Sequence, residues 1–115
     1  MPAAAGHNRK IATYRDFWPY YLQEHAKPAT RNLHFLGTSL ALAGVVAALT
    51  ISPWFGLVAL VAGYGPAWFA HFFVEKNRPA TFTHPLWSLA SDFRMAWLWA
   101  TGHLEDELYK AGVGR

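Results

Sequence analysis

One long uncharged stretch limits the fold of this chain more than any other feature. Between Arg31 and Glu75 there is no Asp, Glu, Lys or Arg, and a single Ser52-Pro53 break divides the stretch in two. Each half has the length of a helix that crosses the hydrocarbon core of a bilayer. The sequence therefore predicts an all-α membrane protein built on a helical hairpin, with helices at about 31–51 and 54–76.

The segment before the hairpin predicts an amphipathic helix over about residues 13–24. Apolar side chains recur there at three- and four-residue steps and are mainly aromatic: Tyr14, Phe17, Trp18, Tyr21 and Leu22. Pro19 interrupts the pattern and is expected to kink the helix or to move its start. Aromatic rings among charged residues are typical of the membrane–water interface, so we expect the helix to lie there.

The segment after the hairpin predicts a Trp-rich helix. Pro85 suits the first turn of a helix, and the pattern continues from Leu86 to about Leu108. Asp92 and Arg94 make a clean membrane span unfavourable, so this helix is expected to be short, tilted or interfacial.

Length and composition support a small membrane protein. The 115 residues predict one membrane-embedded domain, 1–115, with residues 1–8 and 111–115 as disordered tails. The net charge is +3, but the basic residues flank the apolar stretch rather than forming a patch, which argues against nucleic-acid binding. The turn of the hairpin has no basic residue, so the positive-inside rule predicts that both open ends face the cytoplasm. The chain has no cysteine and therefore no thiolate ligand or cysteine nucleophile.

Histidines mark the open ends of the predicted hairpin. His34 lies 19 residues before Pro53, and His71 lies 18 residues after it. At about 1.5 Å per residue, both lie some 27 Å from the turn and therefore at one depth. His25 and His84 flank the hairpin on the same side, so four histidines are expected in one layer.

This layer predicts a metal site. Neutral imidazole is a common metal ligand, and several imidazoles with a nearby carboxylate suit iron, zinc, copper or nickel. In lipid-like surroundings without thiolates, an oxygen-activating non-haem iron is a natural candidate. His25, His34 and His71 are the first choice of ligands. His84 is either a further ligand or a helix cap. Glu75 lies one helical turn beyond His71 and shares its face.

Other polar residues could support such a site. Arg78 is a candidate for binding a carboxylate, because a guanidinium group can form two parallel hydrogen bonds with it. Asp92 could pair with a base or orient a histidine, and Asn32 could hydrogen-bond the loop or cap a helix. Two further interpretations stay open: a haem-binding electron carrier with two axial histidines, and a non-catalytic hairpin that binds lipid or a partner.

Two motifs resemble a known family. His25 followed by Asn32-Leu33-His34-Phe35-Leu36-Gly37, and then His71-Phe-Phe-Val-Glu75-Lys-Asn-Arg-Pro79-Ala80, are similar to small membrane proteins related to the fungal 2-hydroxy fatty acid dioxygenase of fatty-acid α-oxidation. The resemblance covers about residues 25–80. It implies an enzyme of the bacterial inner membrane or, in a eukaryote, of the endoplasmic reticulum. Such an enzyme uses Fe(2+) and O2 to shorten a 2-hydroxy fatty acid by one carbon.

The resemblance also implies roles for individual residues. His25, His34 and His71 would be the iron-associated histidines, with Glu75 among or beside the ligands. His84 departs from the fungal-type pattern and is either a ligand in a subgroup or unrelated to the metal.

The expected partners are a lipid-like 2-hydroxy acid, O2 and membrane lipids. Such an acid can chelate iron through its hydroxyl and carboxylate groups, and its alkyl chain would lie along the hairpin. Arg78 or Arg31 would pair with the remaining negative charge of the carboxylate.

Overall fold

The computed structural model describes residues 11–113, and every element of secondary structure in this range is helical. This confirms the predicted all-α class. The five α-helices are α1 (Tyr14–Gln23), α2 (Pro28–Thr50), α3 (Phe55–Phe69), α4 (Pro85–Thr101) and α5 (Leu104–Lys110). A π-helix, Ala70–Glu75, extends α3, and a 3-10 turn, Ala80–Phe82, precedes α4.

The second and third helices form the predicted hairpin. The segments Pro28–Thr50 and Phe55–Glu75 are both long and apolar enough to cross a membrane. Large apolar side chains remain exposed on their outer faces, among them Leu49 at 82% and Val61 at 73%. Such an apolar outer surface is expected where helices face lipid.

Small residues let the two hairpin helices touch. A Cβ atom built on Gly37 would lie 2.5 Å from the carbonyl oxygen of Gly63, and one on Gly44 would lie 2.7 Å from Ala59 Cβ. No larger side chain fits at either contact, so the backbones pack directly, as in other closely packed membrane helices. This packing holds the histidine-bearing ends of α2 and α3 together.

The start of α2 differs from the prediction. The helix begins at Pro28 rather than Arg31, with Lys27 as the residue before its first turn. Proline suits this position because its fixed φ is already helical and its missing N–H would have no partner there. Thr30 therefore lies inside the first turn of α2.

The third helix widens beyond Pro66. The α-helix passes through Pro66, and the chain then forms the π-helix Ala70–Glu75, which contains His71. The π-helix ends at Lys76, whose φ of 65° lies in the left-handed region. Asn77 N donates to the carbonyl oxygen of His71 at 2.8 Å. π-Helical turns of this kind are frequent at functional sites.

A small core lies beside the histidine-bearing end of the hairpin and joins α1, α4 and α5 to it. Its largest buried members are Phe17, Trp18, Tyr21, Leu22, Phe35, Met95, Leu104 and Leu108. The aromatic side of α1 therefore faces protein, while the location of this helix at the membrane interface stays a prediction. The apolar period indicated the correct face, but neighbouring helices cover that face instead of lipid.

The predicted helix at 86–108 is two helices. Gly102 has a φ of 81°, a left-handed conformation that glycine adopts without strain, and it ends α4. His103 precedes the first residue of α5, Leu104, in a non-helical conformation.

The chain end also differs from the prediction. Ala111 and Val113 are buried against the core, which corrects the expectation of a disordered tail for residues 111–113. The other predicted tail residues, 1–8 and 114–115, lie outside the described range.

Candidate metal centre

Three histidines from three segments meet at the open end of the hairpin. His25 follows α1, His34 lies in α2, and His71 lies in the π-helix. Their side chains are buried, at 1%, 4% and 2% exposure. Within residues 11–113, these three form the group of His and carboxylate side chains whose ligand atoms, all within 4.8 Å of one another, could hold a metal ion.

The Nε2 atoms point at one another. His25 Nε2 lies 3.0 Å from His34 Nε2 and 3.1 Å from His71 Nε2. The three rings are nearly perpendicular in every pair, with interplanar angles of 82°, 81° and 86°. The rings therefore converge on one point rather than stacking.

Two of the Nδ1 atoms bond to carbonyl oxygens four residues earlier in the chain. His25 Nδ1 lies 2.6 Å from the oxygen of Tyr21, and His34 Nδ1 lies 3.0 Å from the oxygen of Thr30. A carbonyl oxygen only accepts hydrogen bonds, so both Nδ1 atoms carry hydrogen and donate.

The third Nδ1 atom bonds to a side chain. His71 Nδ1 lies 2.7 Å from Asn77 Oδ1. The amide orientation follows from its other contact, because Asn77 Nδ2 donates to the carbonyl oxygen of Glu24 at 3.1 Å. His71 therefore also carries its hydrogen on Nδ1.

The hydrogen bonds determine what the three Nε2 atoms can bind. Because each Nδ1 donates, each neutral ring presents a lone pair on Nε2. Lone pairs this close repel unless a cation lies between them. Burial, and then the neighbouring His34 and His71, lower the pKa of His25 well below its usual value, which disfavours a proton as that cation. A metal ion fits the donor set better.

The nitrogen spacing also bears on the kind of metal site. Two nitrogens about 2.1 Å from one ion are about 3.0 Å apart at a right angle and about 3.4 Å apart at the tetrahedral angle. The observed 3.0 and 3.1 Å from His25 Nε2 to the other two Nε2 atoms lie close to these values, as for nitrogens that share one ion. Three imidazole donors leave further positions of an ion open, and imidazole suits iron, zinc, copper and nickel.

The same spacing argues against a haem. Axial ligands on opposite sides of a haem iron are about 4 Å apart, with the porphyrin plane between them. His25 Nε2 lies 3.0 Å from His34 Nε2 and 3.1 Å from His71 Nε2, which leaves no room for that plane between His25 and either partner.

A family model described as "2-hydroxy-palmitic acid dioxygenase Mpo1-like" matches residues 11–104, which include all three converging histidines. The chain belongs to the Mpo1-like family. This confirms the membership that the two sequence motifs indicated. No curated protein and no solved structure matches the chain.

Glu75, which the sequence analysis placed near the metal, is bonded to the loop before α2 in this Mpo1-like protein. Glu75 Oε2 accepts from the backbone N of Lys27 at 2.5 Å, and Lys27 Nζ donates to the carbonyl oxygen of Val74 at 3.0 Å. The structure therefore places this carboxylate in a link between the loop and the π-helix, apart from the three Nε2 atoms.

Three other predicted site residues also lie apart from the cluster. His84 Nδ1 contacts Thr83 Oγ1 at 2.8 Å, and its ring stacks on Trp87 with an interplanar angle of 4°. Arg78 and Asn32 are exposed. The structure does not bring these three to the converging histidines, so their functional roles stay predictions.

Arg31 has a structural task that the sequence did not reveal. Its side chain is buried, and Nη1 donates to the carbonyl oxygens of His25 and Ala26, both at 2.9 Å. The sequence suggested this guanidinium as a carboxylate partner, but here it holds the loop that carries His25.

Asp92 supports the cluster through an aromatic side chain. Its carboxyl group accepts a hydrogen bond from the Tyr21 hydroxyl, and the Tyr21 ring stacks on His25 with centroids 4.1 Å apart. The predicted contact between Asp92 and a histidine is thus indirect. Burial raises the pKa of Asp92 to about 7, although the Tyr21 hydrogen bond opposes this shift. The carboxyl group is therefore substantially protonated near neutral pH.

We expect Asn77→Ala to weaken metal binding about 10- to 100-fold in this Mpo1-like protein. Residues that orient a ligating imidazole typically contribute that much, and His71 would lose its Nδ1 acceptor. Asn77→Asp keeps an acceptor oxygen and should bind more tightly than Asn77→Ala. Titration against a competing chromogenic chelator measures both affinities. Asn32→Ala is the matched control, and equal affinities for Asn32→Ala and Asn77→Ala would contradict the orienting role.

Proposed function

We propose that this protein is a membrane-embedded, Fe(2+)-dependent dioxygenase that shortens 2-hydroxy fatty acids by one carbon. The observation that carries the proposal is the convergence of three Nε2 lone pairs in a chain of the Mpo1-like family. Iron bound there would supply the activation of O2. The family description names a 2-hydroxy-palmitic acid dioxygenase, which supports this substrate class.

The proposed reaction balances without a separate reductant. A 2-hydroxy acid, R–CH(OH)–COOH, and O2 give R–COOH, CO2 and H2O. The bond between the carboxyl carbon and C2 breaks, and C2 is oxidised from an alcohol to a carboxylic acid. All four electrons that O2 accepts come from the acid. The reaction therefore needs no nucleotide cofactor as reductant. The sequence contains no Gly-rich phosphate-binding loop.

The donor set suits an anionic chelating substrate. Three neutral imidazoles leave the charge of a divalent ion uncompensated, so an anion is attracted to the remaining positions. A 2-hydroxy acid can fill two of them with its hydroxyl and carboxylate oxygens. The three histidines fix the site, while Asn77 and Arg31 hold His71 and the His25 loop in place.

The membrane setting fits a lipid substrate. Two apolar segments form the hairpin, and the basic residues of the sequence lie at its open end rather than at its turn. We place the open end, with the histidines, on the cytoplasmic side. A fatty acid in that leaflet would then reach the site without leaving the lipid.

The test is an assay of detergent-purified protein loaded anaerobically with Fe(2+). With 2-hydroxypalmitic acid and O2, we expect pentadecanoic acid by mass spectrometry and one CO2 for each O2 consumed. Palmitic acid, which lacks the hydroxyl chelator, should give no shortened product. Iron-loaded protein that consumes no O2 with any 2-hydroxy acid would overturn the proposal and favour a non-catalytic hairpin.

A further inference from the structure

An apolar groove lies between the hairpin and α4. Its volume is about 350 Å³, which lies within the roughly 300–1,000 Å³ common for small-molecule sites. Small residues form the part where the hairpin helices touch, and larger apolar side chains flank it: Gly37, Ala41, Gly63, Leu60, Leu89 and Phe93. The groove thus exists because the tight packing of the hairpin leaves its surface indented.

The groove adjoins the metal centre. Asp92 and Tyr64 line the groove, and the same two residues line a narrow recess beside His34 and His71. A molecule with its polar end at the histidines would therefore pass these two side chains and continue into an apolar channel.

The shape of the groove selects a linear apolar occupant. It follows α3 from Tyr64 to Gly56, eight residues, which is about 12 Å at the helical rise. Its far end includes Val45, whose side chain is 47% exposed, so this end is open to lipid. A partner helix is about 10 Å wide and does not fit a groove of this volume. A single hydrocarbon chain does.

We propose that this groove binds the alkyl chain of the 2-hydroxy acid and that the Val45 end sets the preferred chain length. This inference rests on the proposed function, because the histidine cluster positions the head group. Asp92 and Tyr64 mark the boundary between head group and chain, and the residues beyond them contact only methylene groups. The groove therefore adds selectivity for chain length to the chemistry at the metal.

Two neighbouring substitutions test the groove by activity. Val45→Trp fills its far end, whereas Val46→Trp adds the same ring to an adjacent residue, 58% exposed, that does not line the groove. We expect Val45→Trp to lower kcat/KM for 2-hydroxypalmitic acid at least about 10-fold, since the displaced methylenes lose their contacts. Val45→Trp should turn over a short-chain 2-hydroxy acid at the wild-type rate. Val46→Trp should keep the wild-type kcat/KM for both acids. Equal chain-length profiles for the two variants would overturn the proposal.

A photolabelling experiment separates this inference from the proposed function. A 2-hydroxy acid with a diazirine near its methyl end is bound to the metal-loaded protein, and adducts are mapped by mass spectrometry. We expect labels at Val45 and Gly56 that unlabelled 2-hydroxypalmitic acid displaces. Such labels in a protein without turnover would support the groove and count against the reaction.

The same experiment distinguishes a general lipid groove. A phospholipid with a diazirine in its acyl chain serves as the second probe. Labelling of the groove by the phospholipid that 2-hydroxypalmitic acid does not displace would overturn the proposal, as would turnover without any groove label from the acid probe.

Discussion

His71→Ala is expected to remove the bound metal almost completely, whereas wild-type protein retains about one ion per chain. The physical reason is that, among residues 11–113, the three Nε2 atoms are the converging donor set, and removal of one leaves two neutral ligands. The loss in affinity should exceed the 10- to 100-fold effect of a residue that only orients a ligand. Elemental analysis of desalted, detergent-purified protein measures the metal content.

The matched control for this prediction is His103→Ala. His103 is exposed between α4 and α5, and its Nδ1 contacts Thr101 Oγ1 rather than the cluster. This variant should keep its metal, and circular dichroism should show unchanged helix content for both variants. Full metal retention by folded His71→Ala would show that the cluster is not the metal site.

Gly37→Leu is expected to destabilise the hairpin strongly and to lower its metal content with it. The first atom of any side chain would lie 2.5 Å from the Gly63 carbonyl oxygen, so α2 and α3 must move apart. Overpacking typically costs about 1–3 kcal/mol, and more where the obstacle is backbone. The same movement separates His34 from His71. Thermal unfolding in detergent and metal analysis measure the two effects.

Gly65→Leu is the matched control, because a Cβ on Gly65 meets no atom within 4 Å. Its thermal midpoint and metal content should stay close to those of wild type. If Gly37→Leu and Gly65→Leu behaved alike, the close contact between the helices would not be what positions the histidines.

These two predictions describe one coupling between metal binding and folding. The ligands come from the end of α1, from α2 and from the π-helix after α3, so a bound ion ties the N-terminal helix to the hairpin. Binding energy at such a site adds to the stability of the folded state. Apo protein should therefore unfold at a lower temperature than loaded protein.

Glu75 illustrates where sequence reasoning reached its limit. Four residues after His71, it shares the face of that histidine in a regular α-helix. The π-helix Ala70–Glu75 has more residues in each turn, so the two side chains no longer align. The carboxylate contacts the backbone of Lys27 instead. No pattern in the sequence predicts the wider turn of the π-helix, because this turn depends on how the segment packs.

The residues that orient the histidines were missed for a similar reason. Asn77 has no helical periodicity to connect it with His71, and Tyr21 and Thr30 contribute backbone oxygens that any residue type would offer. Arg31 was noticed only as a charge, while its buried hydrogen bonds to the His25 loop depend on the entry angle of α2.

The sequence by itself determined the all-α class, the two apolar segments, their turn and the equal depth of His34 and His71. These follow from apolar period, length and residue count, which act locally along the chain. The tertiary structure decided which side chains meet. It brought His25 to the other two histidines, turned the aromatic side of α1 toward protein, and split the last helix at Gly102. Such contacts join residues far apart in the chain, so only the packing of complete helices selects among them.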